Sequence, residues 1–231
     1  MILDAVFPEQ CVGCRSGGSY LCSSCRKNLK PHPEICPITH KLSPGYAVRQ
    51  DLLTQTSPLD GCIVLFRFDP LIKKLIRNLK YYHHAHVSSF LGQRLALELQ
   101  THEFFSQLLV PDSKLIISYV PSHRIRRHIT KGYNQSELLA RSVCKTLSIS
   151  SPPQLCKKVK HTHSQVGMSR EQRKKNLSGA FHVVVPIAPG STIVIVDDVL
   201  TSGATMIEMA KTMKTIQPDC TVWGLCVARN G

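Results

Sequence analysis

The segment from residue 192 to residue 205 constrains the fold more than any other part of this chain. Its sequence is Thr-Ile-Val-Ile-Val-Asp-Asp-Val-Leu-Thr-Ser-Gly-Ala-Thr. The apolar, β-branched run over 193–196 predicts a buried strand that ends at two carboxylates, Asp197 and Asp198. After a small, hydroxyl-rich loop, apolar residues recur at helical spacing: Met206, Ile207, Met209, Ala210 and Met213. The segment therefore predicts a strand, an acidic pair, a short loop and a helix.

The loop has the chemistry of a phosphate site. Successive backbone N–H groups and a helix N-terminus favour an anion, and a glycine lets the backbone approach it closely. The adjacent carboxylates, Asp197 and Asp198, suit vicinal hydroxyls or a magnesium ion. A phosphate beside two hydroxyls is the outline of a ribose 5-phosphate. The predicted phosphate-binding residues are Thr201, Ser202, Gly203, Ala204 and Thr205.

The acidic pair has three other interpretations. The pair could merely cap the turn after a parallel strand, which is common for a lone acid pair but rare when the whole pattern of strand, acids and loop is present. A receiver domain also places paired acids after an apolar strand, but near its own amino terminus. A Walker P-loop is excluded, because no Gly-Lys-[Ser/Thr] follows the strand.

The unbroken pattern from Ile193 to Thr205 resembles the signature with which type I phosphoribosyltransferases bind phosphoribosyl pyrophosphate (PRPP). That signature has apolar residues, two acids, an apolar pair and a Thr-[Ser/Thr]-Gly-x-Thr loop. The resemblance implies that Asp197 and Asp198 hold the ribose hydroxyls and bias a magnesium ion. It also implies that the loop holds the 5-phosphate.

The length of the chain and its lack of long apolar runs limit the number of domains and the kind of protein it can be. The 231 residues suit one catalytic-size domain plus a small appendage. No apolar run approaches the roughly 20 residues that a membrane-spanning helix needs. The start of the chain lacks the basic segment and long apolar core of a signal peptide. We therefore expect a soluble cytoplasmic protein.

Positive charge is concentrated in one stretch. The net charge is +14, and residues 114–181 hold 14 lysines and arginines against two acids, Glu137 and Glu171, a balance of +12. General solubility explains a basic protein but not so few acids over this stretch. A concentrated positive field attracts phosphates, whether of a small polyphosphate or of a nucleic-acid backbone.

Four of the ten cysteines form two Cys-x-x-Cys pairs near the amino terminus. This spacing favours a tetrahedral zinc site, with disulfides and an iron–sulfur cluster as weaker alternatives. Four thiolates leave no open coordination position, so the predicted zinc is structural. His32, Cys36 and His40 could form a second metal site, but their interpretation as ordinary loop residues is favoured, because no second Cys-x-x-Cys pair accompanies them. The predicted ligands are Cys11, Cys14, Cys22 and Cys25.

The remaining pattern predicts three regions: a zinc-binding knuckle over 1–30, an irregular connector over 31–60 and a larger domain over 61–231. Strands alternate with helices in the last region, which predicts an α/β fold with a parallel sheet and helices on both faces. We expect strands over 62–68, 114–120, 181–185, 193–196 and 222–228. We expect helices after Asp69, over 87–109 and over 135–147, and a mobile loop over 161–178.

Further motifs resemble the ComF family, also called the ComFC or GntX type. One block runs Val-Pro-Ser-His over 120–123 and Lys-Gly-Tyr-Asn-Gln over 131–135. Another has Gln165, Ser169-Arg170, Arg173, Asn176 and Gly-Ala-Phe over 179–181. With the amino-terminal cysteines, the resemblance covers nearly the whole chain. It implies a type I phosphoribosyltransferase-like fold behind a zinc-binding segment, and a part in DNA uptake during natural competence or in DNA utilisation.

The chain departs from the family pattern at two places. Many members carry a second pair of Cys-x-x-Cys motifs, whereas here Thr39 stands at the position paired with Cys36 and the fourth motif is missing. We therefore expect one zinc. Lys131 replaces an arginine, which keeps the charge but loses bidentate phosphate contact.

The resemblance suggests a transferase-type site and leaves turnover open. The turn of Pro121, Ser122, His123 and Arg124 would face the pyrophosphate, and Arg170 and Arg173 on the mobile loop could close over it.

Two hypotheses compete with an enzyme. The basic stretch could bind single-stranded DNA, with Tyr133 or the pair Tyr81 and Tyr82 stacking on bases. The knuckle could instead dock onto a competence helicase or another DNA-processing protein.

Overall fold

The structure is a computed structural model that describes residues 10–81, 85–122, 133–160 and 170–230. Its centre is a four-stranded parallel sheet in the order β1–β6–β5–β2. The strands are β1 Gly61–Arg67, β2 Leu115–Tyr119, β5 Thr192–Leu200 and β6 Thr221–Arg229. The predicted parallel sheet is confirmed. In one detail the sequence interpretation was wrong: β5 continues through both acids to Leu200, because Asp197 and Val199 still pair with β6.

Alternating side chains send each strand's apolar residues to both faces of the sheet. Ile63 and Leu65 of β1 join one core, and Cys62 and Val64 join the other. The first core is covered by helices α2 Pro70–Tyr81, α3 Ala85–Thr101 and α5 Gln135–Leu147. The second is covered by α6 Arg170–Leu177, by α7 Ala204–Ile216 and by a small antiparallel pair, β3 Cys156–Lys158 and β4 Phe181–Val183.

Two helical predictions need correction. The helix expected over 87–109 ends at Thr101, and a short helix α4, Glu103–Ser106, follows it. The break comes at His102, whose Nε2 lies 3.0 Å from the carbonyl oxygen of Gly45. The mobile loop expected over 161–178 was wrong in its second half. Residues 170–177 form α6, which buries Leu177 beside α7.

The amino-terminal lobe, residues 10–60, lies along β1. It contains one short helix, α1 Ser23–Lys27, and two single 3₁₀ turns, Pro44–Tyr46 and Gln50–Leu52. Isolated bridges join Pro31 to Phe66 and Ala47 to Gly61, so the lobe protects the otherwise open edge of β1. Among the described helices, none is both long enough and apolar enough to cross a membrane.

Candidate functional site

The two acids lie where a parallel sheet opens towards a ligand. Asp197 and Asp198 are half-buried near the carboxyl end of β5, which lies between β2 and β6. Ligands of open α/β sheets bind beyond the carboxyl ends of the strands. The strand, the loop and helix α7 therefore follow one another in the predicted order, and the two acids lie at the edge of the sheet where ligands of such folds bind.

Asp197 is held by a residue that sequence analysis did not single out. The hydroxyl of Ser136 donates to Asp197 Oδ1 at 2.7 Å, and the backbone N–H of Asp198 donates to the same oxygen at 2.9 Å. Ser136 is 5% exposed and lies in the first turn of α5. Asn134 fixes that turn, since its side chain accepts from the Ser136 N–H and donates to the Val120 carbonyl. The orientation of one acid is therefore set by a neighbouring helix start.

The loop after β5 turns sharply at Gly203. Its φ of 74° is left-handed, which favours glycine, and Gly203 is the residue that precedes helix α7. The first N–H groups of a helix have no partner within the helix, so α7 presents donors at this turn. The Ser202 hydroxyl oxygen is buried with no hydrogen-bond partner among the described residues. A buried, unsatisfied donor beside free helix N–H groups suits an anion such as phosphate.

The remaining predicted contacts are only partly described. Pro121 and Ser122 follow β2, the neighbour of β5, and so reach the same edge of the sheet. His123 and Arg124 fall outside the described residues. Arg170 and Arg173 lie in α6, which packs on α7. The structure therefore brings together the acids, the loop and the start of the 121–124 turn.

The amino-terminal lobe reaches this loop from the other side. The carbonyl oxygen of Pro37 lies 3.9 Å from the point where a Cβ on Gly203 would stand. Arg229, at the end of β6, donates from Nη2 to that carbonyl at 3.0 Å and lies 2.7 Å from His40 Nε2. Since Arg229 pairs in register with Leu200, directly before the loop, the guanidinium ties the lobe to the candidate site.

The four predicted metal ligands converge. The Sγ atoms of Cys11, Cys14, Cys22 and Cys25 all lie within 4.8 Å of one another, a separation that four ligands of one tetrahedral ion can have. Gly13 is needed for close approach, since a Cβ there would stand 2.5 Å from Cys25 Sγ. Backbone N–H groups also donate to the sulfurs. The N–H of Cys22 donates to Cys11 Sγ, and the N–H of Cys25 donates to Cys22 Sγ, each at 3.4 Å.

The thiols of this cluster interact strongly. Burial opposes ionisation of Cys11, but hydrogen bonds from the backbone and from Cys25 outweigh it and lower the pKa to about 6. The hydrogen bond to Cys11, together with burial, raises the pKa of Cys25 to about 12. Like charges this close cannot all form without a cation, and a bound zinc ion would let all four thiols ionise. The donor set therefore fits a structural zinc.

Two protein-family domains match this chain, one over each of these regions. Residues 136–230 match the phosphoribosyl transferase domain, a span that contains β5, the loop and α7. Residues 2–48 match the double zinc ribbon domain, which spans the four-cysteine cluster. Together with the convergent sulfurs, this match supports a structural zinc.

Relatives align along most of the chain. DNA utilization protein YhgH of Shigella flexneri is 31% identical over 216 residues, which cover 89% of each chain. The YhgH protein of Escherichia coli strain K12 is 30% identical over 212 residues, with the same coverage. Competence protein F of Haemophilus influenzae is 28% identical over 229 residues, 96% of this chain and 98% of that protein. The chain belongs to the ComF/YhgH family.

In this ComF/YhgH protein the turn at residues 36–39 contains a single cysteine, Cys36, because Thr39 stands at the position paired with it. Cys36 is fully buried, and its sulfur accepts from the backbone N–H groups of Thr39 at 3.3 Å and Arg49 at 3.4 Å. Burial opposes ionisation of Cys36, but these contacts and the Thr39 hydroxyl outweigh it, so the pKa lies below its usual value. Among the described residues, the Cys11–Cys25 set is the only group of three or more metal-type ligands that converges.

Proposed function

We propose that this ComF/YhgH-family protein binds PRPP or a related ribose phosphate together with Mg²⁺ at the β5–α7 loop, and acts in DNA uptake or utilisation. The observation that carries the proposal is the pairing of two half-buried carboxylates with a loop that holds a buried, unsatisfied hydroxyl. Asp197 and Asp198 would bind the ribose hydroxyls and orient the metal. The Ser202 hydroxyl and the free N–H groups of α7 would bind the 5-phosphate.

The names of the relatives support the cellular role. Competence protein F and DNA utilization protein YhgH align with most of this chain, at 28% and 31% identity. The four-cysteine cluster would hold one zinc per chain as a structural ion. We propose that the knuckle positions the amino-terminal lobe against the sheet and supplies no reacting group.

Calorimetry tests the ribose-phosphate site directly. The double variant Asp197→Asn, Asp198→Asn should lower the affinity for PRPP with Mg²⁺ by roughly 100-fold or more, as the loss of two charge-assisted contacts implies. The control is Asp51→Asn with Asp112→Asn, which removes two exposed carboxylates elsewhere in the chain. Equal PRPP affinity in wild type and the acidic-pair variant would refute the proposal.

A change at Ser202 separates ligand binding from stability. A buried hydroxyl without a partner costs about 1–3 kcal/mol in the free protein. Ser202→Ala should therefore unfold at an equal or higher urea concentration than the wild type, while its PRPP affinity falls. A variant that loses stability and keeps its affinity would show that the hydroxyl serves the fold.

Single-stranded DNA binding is the second candidate function, favoured by the +12 balance of residues 114–181. Backbone neutralisation releases counterions, so affinity should fall with salt by a log–log slope of about −0.7 per phosphate contacted. Lys174→Glu with Lys175→Glu should weaken binding to all sequences alike, since phosphate contacts carry no base information. Absence of DNA binding at low salt would leave ribose-phosphate binding as the sole proposal.

The base-stacking part of that hypothesis is weakened at one of its positions. The hydroxyl of Tyr133 donates to the Leu79 carbonyl at 2.8 Å, which commits that ring to packing against α2. The side chain of Tyr81 is not described, and Tyr82 falls outside the described residues. Stacking on Tyr81 or Tyr82 stays a prediction.

A further inference from the structure

A small cleft lies where the knuckle meets the first helices of the sheet domain. Its volume is about 150 Å³, below the roughly 300–1,000 Å³ of ordinary small-molecule sites. Its floor is apolar and buried, formed by Leu21 of the knuckle, Leu75 of α2 and Val87 of α3. The cleft therefore suits one flat group rather than a nucleotide cofactor. It is distant in sequence from the β5–α7 loop and shares no residue with it.

The rim of this cleft carries aromatic rings. The rings of Tyr20 and His86 stack, with centroids 5.2 Å apart and planes 16° from parallel. The guanidinium of Arg26 lies over the ring of Phe90 at 5.2 Å. Arg26 is held in this position by the hydrogen bond from its Nε to the Leu21 carbonyl at 2.9 Å. Planar rings and an oriented guanidinium are the groups on which unpaired bases stack.

The segments that border the cleft are rich in lysine and arginine. Residues 10–33 contain four lysines and arginines and no Asp or Glu, and helix α2 contains four more and no acid. No carboxylate of the described residues pairs with Arg26, which is exposed. Zinc held by four thiolates would offset only part of this positive charge. The charge matches a polyanion rather than an apolar or basic protein segment.

From these features we propose that the cleft between the knuckle and α3 is a base-stacking site for single-stranded nucleic acid. One unpaired base enters the cleft beside Tyr20 and Phe90, and the flanking phosphates meet Arg26 and the lysines of α2. This site is independent of ribose-phosphate binding. It differs from the 114–181 stretch in contacting bases as well as phosphates.

An abasic oligonucleotide separates stacking from charge. We would measure fluorescence anisotropy with the full zinc-loaded chain, using a labelled oligo-thymidine and an abasic strand of equal length. Wild type should prefer the oligo-thymidine. Tyr20→Leu keeps apolar volume but removes the flat ring, and should weaken oligo-thymidine binding by about 5- to 150-fold, as the loss of one stacked base implies. Its affinity for the abasic strand should not change.

Three comparisons make the test decisive. Phe104→Leu removes an exposed ring that stacks on Trp223, away from the cleft, and should change neither affinity. Lys174→Glu with Lys175→Glu should weaken both strands equally. If Tyr20→Leu loses zinc, Phe90→Leu provides the same test, since it also removes a flat ring of the cleft, keeps apolar volume and changes no charge.

Equal binding of the two strands by the wild type would overturn the proposal and leave an acidic protein partner as the occupant of the cleft. No DNA binding at all would overturn it too. A cleft variant that keeps the wild-type preference would equally exclude this site. None of these results bears on PRPP affinity, which is measured separately.

Discussion

The turns at residues 22–25 and 36–39 use their first sulfur in the same way. In each, the N–H of the residue three positions on points at that sulfur, Cys25 to Cys22 at 3.4 Å and Thr39 to Cys36 at 3.3 Å. The next N–H donates to the cysteine carbonyl in both, from Arg26 at 2.9 Å and from His40 at 3.1 Å. The backbone of a zinc knuckle therefore persists in a turn with one cysteine.

The two turns differ in what holds them in place. The first turn has Cys25 in the companion position, and the sulfurs of Cys11 and Cys14 lie close to it. The second turn has Thr39 in that position, and the Arg229 guanidinium donates to its Pro37 carbonyl. We expect the first turn to depend on a metal, whereas the second is held by burial and by a strand far away in sequence. Local N–H···S contacts set the shape of such a turn, and its anchor can be exchanged.

The largest expected effect is at the metal-dependent turn. Cys22→Ser should lower bound zinc from about one ion per chain to near zero, because a four-ligand structural site loses closure with any ligand. Elemental analysis of purified protein measures it, and hydrogen exchange should show loss of protection over residues 10–30 with the sheet intact. A variant that still holds one zinc would contradict the ligand assignment.

The second turn should fail when its distant anchor is removed. Arg229→Met keeps an apolar stem but leaves the Pro37 carbonyl without its donor, which should cost about 1–3 kcal/mol of unfolding free energy. Urea unfolding measures this cost, and the zinc content should stay at the wild-type value. Loss of zinc in this variant would show that the two turns are not anchored separately.

A smaller cost is expected at Cys36. Cys36→Ser retains an acceptor for the Thr39 and Arg49 N–H groups but puts a more polar atom into a buried position, at about 1–2 kcal/mol. Zinc per chain should equal that of the wild type, in contrast to Cys22→Ser. A drop in zinc would mean that Cys36 is a ligand.

The smallest effect is a pH dependence at His32, which is part of the second turn's surroundings. Burial, together with the charges of Arg229, Arg67 and His40, holds the pKa of His32 below its ordinary value, against a hydrogen bond to Pro33 that raises it. The neutral His32 ring therefore contributes fully to the free energy of unfolding above the pKa of the unfolded chain, about 6.5. This contribution is lost as the pH falls through the lower pKa of the folded protein. The urea midpoint of the wild type should therefore fall as the pH is lowered, and His32→Gln should make this fall smaller. An unchanged dependence of the midpoint on pH would contradict the prediction.

Local patterns made the centre of the molecule predictable. The residues that predict the strand, the loop and the start of the helix all lie within 193–205. The spacing of the cysteines alone predicts the four-cysteine cluster. What could not be predicted depends on distant contacts. Ser136 meets Asp197 from 61 positions away, and His102 breaks its helix by contacting Gly45. Helix α6 was missed because Leu177 is its only apolar residue, and its packing partner, α7, lies beyond it.

The sheet order also dictates when this protein can fold during synthesis. A nascent chain grows from its amino end, so β1 and β5 both leave the ribosome before β6. Yet β6 lies between them, and among the strands that the structure describes β1 pairs with β6 alone. The turn at residues 36–39 likewise gains its hydrogen bond from Arg229 only after that residue has been synthesised. A chain that stops before residue 221 would lack the middle of its sheet rather than an edge, and two exposed strand edges would be left to aggregate.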